Sequence, residues 1–280
     1  MKVKEFFYLI GLKPRPRMFG SVVETYELPR DGRIQVAEWL HPSARRGPPS
    51  QEWVDQLRRF LCPGDVAIDI GAQTGDTTVP IALALGPSGL VLALEPNPYV
   101  FPVLERTATL TAATMHIVPL PFAAMRADGE YEFQYGEPGF SNGGFHEGVS
   151  RWLHGSAFTV RVQGRNLQDF LRSEHSDLIP RIRFIKVDAE GFDLAILQTL
   201  DGIIRERRPY LQVEMFALRK SPPSYRRALF DFLVSHGYAV HRIDGPHDIL
   251  GEAITADNLA RWQTYDVLCV PAGATLARSS

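Results

Sequence analysis

The feature that most constrains the fold is a regular alternation of short apolar segments with helical segments, which starts at Val66. Apolar segments of strand length occupy residues 66–70, 90–94, 116–120, 183–188, 210–215, 238–243 and 265–270. Helical spacing and helix end signals occur between them, over about 77–85, 98–110, 192–204 and 223–236. Strands that are apolar throughout and joined by helices form a parallel sheet with both faces covered. The pattern therefore predicts an α/β fold around such a sheet.

The chain before this alternation has a different pattern. Residues 21–40 fit two strands joined by a tight turn, which predicts a β-hairpin. A helical segment over 51–61 follows Ser50, whose side chain suits a helix N-cap. We therefore expect residues 1–60 to form an N-terminal appendage of short helix, hairpin and helix, and residues 61–280 to form the main domain.

A second departure interrupts the main domain at about 129–163, where glycine and aromatic residues are frequent. Glu130–Phe133 and Phe158–Val162 favour an extra β-hairpin, and we expect the segment to form a β-flap inserted into the domain. The aromatic residues of the flap are Phe133, Tyr135, Phe140, Phe145 and Trp152. They either stack on a sugar ring or only pack the flap, and the sequence leaves both interpretations open.

Composition limits the partners that we expect. The 280-residue chain has a net charge of −2, which gives no global electrostatic reason to bind nucleic acid. Its two cysteines, Cys62 and Cys269, lie outside any Cys-x-x-Cys pair or Cys/His cluster, so we expect neither a zinc site nor a disulfide framework. No apolar run approaches the roughly 20 residues that span a bilayer, and we expect a cytoplasmic protein. Residues 1–17 are expected to pack on the core, with weak contact to a membrane surface as the alternative.

A glycine-rich turn follows the first strand of the alternation, with the sequence Asp69-Ile-Gly71-Ala-Gln73-Thr-Gly75. A dinucleotide fingerprint is excluded because Gln73 and Asp76 stand where its second and third glycines belong. A phosphate loop is excluded by the spacing and by the missing lysine. An acidic residue directly ahead of the turn, with no basic residue nearby in the sequence, favours a ligand that carries positive charge.

The second strand ends in Leu94-Glu95-Pro96-Asn97-Pro98. Glu95 follows Asp69 at the separation at which a ribose-binding carboxylate is found at the tip of the second strand. Such a carboxylate accepts hydrogen bonds from both ribose hydroxyls. Because ligands of open α/β sheets bind at the carboxyl ends of the strands, the turn and Glu95 together predict a nucleoside ligand with a cationic arm.

Three segments together resemble the S-adenosylmethionine-dependent methyltransferases of the FkbM family. They are Asp69–Gly75, Glu95–Pro98 and Phe184–Gly191, the last with the sequence Phe-Ile-Lys-Val-Asp-Ala-Glu-Gly. The resemblance covers roughly residues 60–245, and the closing Tyr265–Pro271 also fits. Gln73 departs from the family, which more often has asparagine there, and we expect it to tune the pocket rather than abolish binding.

The resemblance implies the class I methyltransferase fold, a Rossmann-like seven-stranded, mostly parallel sheet whose last strand is antiparallel. It implies S-adenosylmethionine as cofactor and a hydroxyl oxygen of a small molecule, sugar or glycan as acceptor. Gly71, Gln73 and Gly75 would line the methionine part, Glu95 would hold the ribose, and the turn at Phe122 would flank the adenine. The full set of predicted cofactor-binding residues is Asp69, Gly71, Gln73, Gly75, Thr77, Glu95, Pro96, Asn97, Phe122 and Ala123.

The segment from Lys186 to Gly191 places Lys186, Asp188 and Glu190 on one side at the end of an apolar strand. Charged side chains there are costly unless they are paired or functional. An acceptor hydroxyl must lose its proton to a positioned base or to a metal-bound state, and Asp188 is our first candidate base. The structural alternative is an ion pair of Lys186 with Asp188 or Glu190, with Glu190 capping the next helix.

Other residues offer further candidates for proton removal. Glu214 lies at the end of the neighbouring strand, so Asp188 and Glu214 could act together as the base or bind Mg²⁺. Because a third clear ligand is missing, we do not expect a metal. The catalytic candidates are therefore Asp188, Glu190, Lys186 and Glu214. His146 and His154 lie in the flap and are alternative bases.

Three other functional classes compete with an O-methyltransferase that acts on a small molecule or glycan. An NAD-dependent oxidoreductase or epimerase is disfavoured by the missing third glycine and by the lack of a Tyr-x-x-x-Lys segment. A binding protein that retains the fold without turnover stays open. A nucleic-acid methyltransferase is disfavoured by the acidic net charge and by the absence of an Asn/Asp-Pro-Pro-Tyr segment.

Overall fold

The computed structural model describes residues 16–135, 143–144, 158–189, 191–215, 223–274 and 276. Its strands are β1 (Ser21–Leu28), β2 (Gly32–Trp39), β3 (Val66–Ile70), β4 (Leu90–Leu94), β5 (Ile117–Leu120), β6 (Phe122–Ala124), β7 (Gly129–Tyr135), β8 (Gly143–Gly144), β9 (Phe158–Arg165), β10 (Ile182–Val187), β11 (Tyr210–Met215), β12 (Tyr238–Arg242) and β13 (Tyr265–Pro271). Its α-helices are α1 (Gln51–Leu57), α2 (Thr78–Leu85), α3 (Phe101–Thr111), α4 (Leu167–Glu174), α5 (Asp193–Thr199), α6 (Asp201–Arg207) and α7 (Pro223–Ser235).

The central sheet has seven strands in the order β12-β13-β11-β10-β3-β4-β5. The last strand in the chain, β13, runs antiparallel to β11 and β12, and the five strands from β11 to β5 are parallel to one another. The predicted seven-stranded, mostly parallel sheet with an antiparallel last strand is therefore confirmed. Its order reverses between β3 and β10, which is where open α/β sheets place their ligands.

Alternate residues of each strand point to opposite faces of the sheet. Helices cover both of these faces. Ile68 and Ile70 of β3 join one apolar cluster, which is completed by residues of α4, α5, α6 and α7. Ala67 joins the other cluster, to which α1, α2 and α3 contribute. The five residues of β3 are all buried, which explains why its sequence shows no polar alternation.

The N-terminal hairpin and helix have the predicted types. β1 and β2 form their own antiparallel sheet, and Ala37 N of β2 donates a hydrogen bond to Thr107 Oγ1 of α3 at 3.1 Å. Ser50 Oγ caps α1 by accepting from Trp53 N at 3.2 Å. Helix α1 ends at Leu57, earlier than predicted. Its apolar residues share a core cluster with α2, and the division at residue 60 stays a prediction.

The flap is built on a second sheet in the order β6-β9-β7-β8, hereafter the flap sheet. β7 and β9 pair antiparallel, with Glu130 opposite Gln163 and Phe133 opposite Val160. The two predicted strands are therefore present and pair with each other, although β8 lies between them in the sequence. β6, the short strand directly after β5, runs parallel to β9, so the flap sheet is joined to the central sheet through consecutive residues.

The helices differ from the prediction in three further places. The helix expected from about residue 98 starts at Phe101, and Asn97 Oδ1 accepts from Tyr99 N at 3.0 Å in a local turn. The segment 192–204 forms two helices, α5 and α6, which meet at Leu200. Helix α4, capped by Asn166, was not predicted. Within the ranges given above, no helix has the length and apolarity needed to cross a membrane.

Candidate functional site

A cavity of about 210 Å³ opens at the carboxyl ends of β3, β4 and β10, on the side of the sheet where the strand order reverses. Most of the residues predicted for the site meet there. Those that line the cavity are Gly71, Gln73, Thr77, Glu95, Pro96, Asn97, Phe122, Ala123, Lys186 and Asp188. Asp69, Gly75 and Glu214 do not line it, and Glu190, His146 and His154 lie outside the described residues.

The loop after β3, residues 71–77 and hereafter the glycine loop, starts against β10. Gly71 has φ +82°, and a Cβ atom at this position would overlap the carbonyl oxygen of Asp188. Gly75 instead packs against α3, where its Cβ would lie 3.1 Å from Leu104 Cδ1. Glycine is therefore required at position 71 so that the loop passes close to Asp188 and turns along the cavity.

Gln73 also has a left-handed backbone conformation, with φ +47°. Side chains other than glycine adopt it at a cost, and asparagine adopts it more readily than glutamine. The conformation lets Gln73 N donate to Glu95 Oε2 at 2.9 Å. This residue thus ties the glycine loop to the end of β4, which the sequence pattern alone did not show.

Glu95 lies at the cavity wall with 7% of its surface exposed. Its second oxygen, Oε1, accepts from Asn97 N at 2.8 Å. Burial raises the pKa of Glu95 to about 7, and the two backbone hydrogen bonds oppose that rise. Each carboxylate oxygen has a second lone pair, so that the group can accept further hydrogen bonds from a ligand.

Asp69 is fully buried behind the glycine loop rather than at the cavity surface. Its Oδ2 accepts from Thr77 Oγ1 at 2.9 Å and from Thr78 Oγ1 at 2.7 Å, where α2 begins. Its Oδ1 lies 3.3 Å from Lys186 Nζ. A basic group therefore does stand beside this acidic residue, although the two are far apart in the sequence. Asp69 holds the glycine loop in place.

Lys186 links the two neighbouring strand ends. Its Nζ lies 3.3 Å from Asp69 Oδ1 and 3.3 Å from Asp188 Oδ2, and the side chain is 4% exposed. Burial alone lowers the pKa of Lys186, but the carboxylates of Asp69, Asp188 and Asp76 outweigh it and raise this pKa above its ordinary value. Lys186 is thus a buried cation, and the ion pair with Asp188 that the sequence allowed is present. The Asp188 side chain is 47% exposed.

Carboxyl groups outnumber basic groups in the lining of the cavity. Among its described lining residues the charged ones are Asp76, Glu95, Asp188 and Lys186, three carboxyl groups and one ammonium. Burial raises the pKa of Asp76, an effect that Lys186 opposes. The apolar part of the lining includes Phe122, which is 5% exposed and packs edge-on against Phe170 at 5.0 Å between ring centroids. Such a site suits a ligand with an aromatic end and a cationic end.

Asp193 is a structural residue of the site that sequence reasoning missed. It is fully buried, and its Oδ1 and Oδ2 accept from Ala189 N and Gly191 N, each at 3.1 Å. Tyr225 Oη of α7 approaches Oδ2 at 3.4 Å. Burial raises the pKa of Asp193 to about 7. The side chain shapes the segment that follows Asp188; its position two residues after Gly191, in the first turn of α5, was the available signal.

Glu214 stands apart from the cavity, in register with Asp266 of β13. Burial raises the pKa of Asp266, and the charge of Asp188 raises it further. In the part of the chain that the structure describes, no group of three or more His, Cys, Asp or Glu side chains is arranged to hold a metal ion. Glu214 as a second base beside Asp188 stays a prediction, and a metal ion bound by the two, which was not expected, stays untested.

A family model described as the methyltransferase FkbM domain matches residues 69–240, more than half of the chain. The chain belongs to the FkbM methyltransferase family. This is a family of S-adenosylmethionine-dependent methyltransferases, and the oxidoreductase alternative is set aside. No curated protein matches the chain.

Solved structures of methyltransferases are similar to the chain at low identity. FkbM methyltransferase from Methylobacillus flagellatus is 17% identical, with a TM-score of 0.43 over 74% of this chain and 44% of that one. The chain thus spans less than half the length of that protein. Aeropyrum pernix fibrillarin with bound S-adenosyl-L-methionine is 14% identical, with a TM-score of 0.44 over 92% and 97% of the two chains. A putative O-methyltransferase from Klebsiella pneumoniae is 13% identical, with a TM-score of 0.42 over 81% and 84%. The family assignment comes from the family model and not from these likenesses.

Proposed function

We propose that this FkbM-family protein transfers the methyl group of S-adenosylmethionine to a hydroxyl oxygen of a small molecule or glycan. The observation that carries the proposal is the junction of Gly71 and Asp188 at one cavity, which brings the donor loop and an accessible carboxylate together. Transfer to an oxygen needs these two elements side by side: a site that holds the donor and a base that takes the hydroxyl proton.

The chemistry of the lining residues fits S-adenosylmethionine. Glu95 would accept from the ribose hydroxyls, and Phe122 with Ala123 would flank the adenine. The glycine loop would hold the methionine part, whose ammonium and sulfonium groups suit a lining with several carboxyl groups. When bound, the cofactor supplies an activated methyl group on its sulfonium. Asp69 supports this site indirectly, because its side chain fixes the glycine loop through Thr77 and Thr78.

Asp188 is the proposed base on the acceptor side. Its carboxylate is half exposed and lines the cavity, so an acceptor hydroxyl can reach it. An acceptor hydroxyl at this position would pass its proton to Asp188 while its oxygen takes the methyl group from the sulfonium of a bound donor, which would be left as a neutral thioether. Lys186 orients the Asp188 carboxylate through their ion pair, and Asp193 fixes the backbone that follows Asp188. These residues therefore position the base, whereas Asp188 itself exchanges the proton.

The first test of the proposal is donor binding. Calorimetry of the purified protein with S-adenosylmethionine and S-adenosylhomocysteine should show saturable binding of both. Absence of binding at millimolar ligand would contradict the proposal. NAD, titrated in parallel, should give no saturable heat.

The second test concerns the base. Asp188→Asn should reduce turnover more than it reduces affinity for S-adenosylhomocysteine, and the exposed Asp177→Asn variant is the matched control. Turnover is read by mass spectrometry of methylated products over a panel of hydroxylated small molecules and glycans, with amine and nucleic-acid acceptors included. Donor binding without any product over the panel would favour a binding protein that retained the fold. Unchanged turnover in Asp188→Asn would remove Asp188 from the mechanism.

A further inference from the structure

Two aromatic residues of the flap line the same cavity as the predicted cofactor residues. Phe133 and Tyr135 belong to β7, and both contribute to the cavity wall together with Glu95 and Phe122. They lie two positions apart in a strand and therefore point to the same side of the flap sheet. Tyr135 is 3% exposed although it stands at the end of its strand. The face of the flap sheet that carries Phe133 and Tyr135 thus forms part of the cavity wall.

The flap sheet packs onto the segment that follows Glu95. Tyr135 and Phe158, which are opposite each other in the β7–β9 ladder, form a buried cluster with Tyr99, Phe133 and Val160 at its edge. Tyr99 N donates to Asn97 Oδ1, and Asn97 N donates to Glu95 Oε1. The cluster around Tyr135 is therefore connected through Tyr99 and Asn97 to Glu95, the proposed ribose carboxylate.

A second connection runs through β6. Phe122, which is expected to flank the adenine, lies in this strand, and β6 pairs with β9 of the flap sheet through Phe122 opposite Gln163. The β6–β9–β7 part of the flap sheet thus contributes Phe122, Phe133 and Tyr135 to one cavity. If the flap sheet only covered the acceptor, we would not expect it to contain Phe122, the residue expected to flank the adenine.

The electrostatics of Tyr135 agree with this placement. Burial raises the pKa of the Tyr135 phenol, and the negative charge of Glu95 raises it further. A tyrosine phenol is neutral at physiological pH in any case, and the raised pKa keeps its proton in place as a hydrogen-bond donor. Beside a carboxylate that accepts from ribose hydroxyls, such a donor complements the oxygen and nitrogen acceptors of a nucleoside.

We propose that Phe133 and Tyr135 bind the nucleoside half of S-adenosylmethionine, Phe133 by ring contact and Tyr135 by its hydroxyl. The β6–β9–β7 part of the flap sheet is then a wall of the donor site. This inference rests on the proposed function, and it selects between the two interpretations that the aromatic residues of the flap left open. For Phe133 and Tyr135, the ring that they face belongs to the donor rather than to an acceptor sugar.

The experiment compares matched tyrosine variants of the full chain by calorimetry with S-adenosylhomocysteine and, separately, with adenosine. Tyr135→Phe should weaken binding of both ligands by about 3- to 10-fold, the effect of one lost hydrogen bond. Tyr131→Phe is the control, because it makes the same change in the same strand at a residue that does not line the cavity. Phe133→Ala should weaken binding about 10-fold or more.

The outcomes separate this inference from the proposed function. If the wild-type protein binds S-adenosylhomocysteine but Tyr135→Phe binds it as well as Tyr131→Phe does, Tyr135 has no role in cofactor binding. If Phe133→Ala matches the wild type, the same holds for Phe133. If the wild-type protein binds neither ligand, the proposed function itself fails.

A second measurement does not depend on how the variants fold. Amide hydrogen exchange of the wild-type protein should show that S-adenosylhomocysteine protects β7 and β9 together with the glycine loop. Protection of the glycine loop and of residues 95–97 without any at β7 would overturn the inference. Thermal unfolding of each variant, with the wild type beside it, establishes that the affinities are compared between folded proteins.

Discussion

Gly71 and Asp188 lie in backbone contact at the carboxyl edge of the sheet, so close that a Cβ atom at position 71 would overlap the Asp188 carbonyl oxygen. Asp188 N also donates to Ile70 O at 3.1 Å. The loop proposed to hold the donor and the residue proposed to accept the proton are therefore fixed against each other. Catalysis by alignment depends on such a fixed separation.

Gly71→Ala is expected to disrupt this contact. The added carbon meets backbone, which cannot rotate away, and φ is +82° at this position. We expect a loss of about 1–3 kcal/mol in the free energy of unfolding, as for overpacked sites, together with loss of S-adenosylhomocysteine binding. Urea unfolding and calorimetry check the two effects. Gly20→Ala is the control, because a Cβ there meets no atom within 4 Å; equal stability of the two variants would contradict the prediction.

Lys186→Met is expected to destabilise the protein by about 3–5 kcal/mol, because it leaves the buried carboxylate of Asp69 without its cation. Asp69→Asn removes the opposite charge, so the double variant should lose less stability than the sum of the two single variants. Urea unfolding of all four proteins gives this coupling as a double-mutant cycle. Strict additivity would show that Lys186 and Asp69 do not interact.

The parallel sheet with both faces covered and the convergence of the glycine loop with Glu95 could be predicted from the sequence. Apolar runs and glycine spacing are local signals, and the carboxyl ends of adjacent parallel strands necessarily meet at one edge. The helix start at Phe101 was mispredicted because Asn97 and Pro98 suit a turn as well as a helix N-terminus. Tertiary packing, which the local sequence does not show, decides between a turn and a helix start at these residues.

The remaining parts of the site depend on contacts between distant residues. The partner of Asp69 is Lys186, and no spacing rule connects them. The placement of Tyr135 depends on how the flap sheet packs onto Tyr99, and the positive φ of Gln73 appears only in three dimensions. Asp193 gave a local signal, but its role follows from its buried hydrogen bonds to the Ala189 and Gly191 amides.

Glu95→Ala is expected to weaken S-adenosylhomocysteine binding by about 1–3 kcal/mol, the range for losing hydrogen bonds to a charged group. The variant also leaves Gln73 N and Asn97 N without their acceptor, so the glycine loop loses its tie to β4. Calorimetry measures the affinity. Glu105→Ala, a change at an exposed position of α3, should bind like the wild type; an equally small effect of Glu95→Ala would exclude Glu95 from the donor site.

Asp193 is expected to make stability depend on pH. Its pKa rises from 3.8 to about 7 on folding, so between these values the folded protein binds more protons than the unfolded chain. Its contribution to stability is therefore complete below about pH 4 and is lost as the pH rises through about 7. Glu95, with a pKa raised from 4.5 to about 7, acts in the same direction.

Urea unfolding at pH 5 and pH 8 tests this dependence in the wild type and in Asp193→Asn. The variant loses one acceptor for the Ala189 and Gly191 amides and will be less stable at both pH values, so the decisive quantity is the difference between them. That difference should be smaller in Asp193→Asn than in the wild type, because the amide does not titrate. Asp177→Asn, at an exposed position, should keep the wild-type difference. Equal differences in all three proteins would show that the Asp193 carboxyl keeps its ordinary pKa in the folded state.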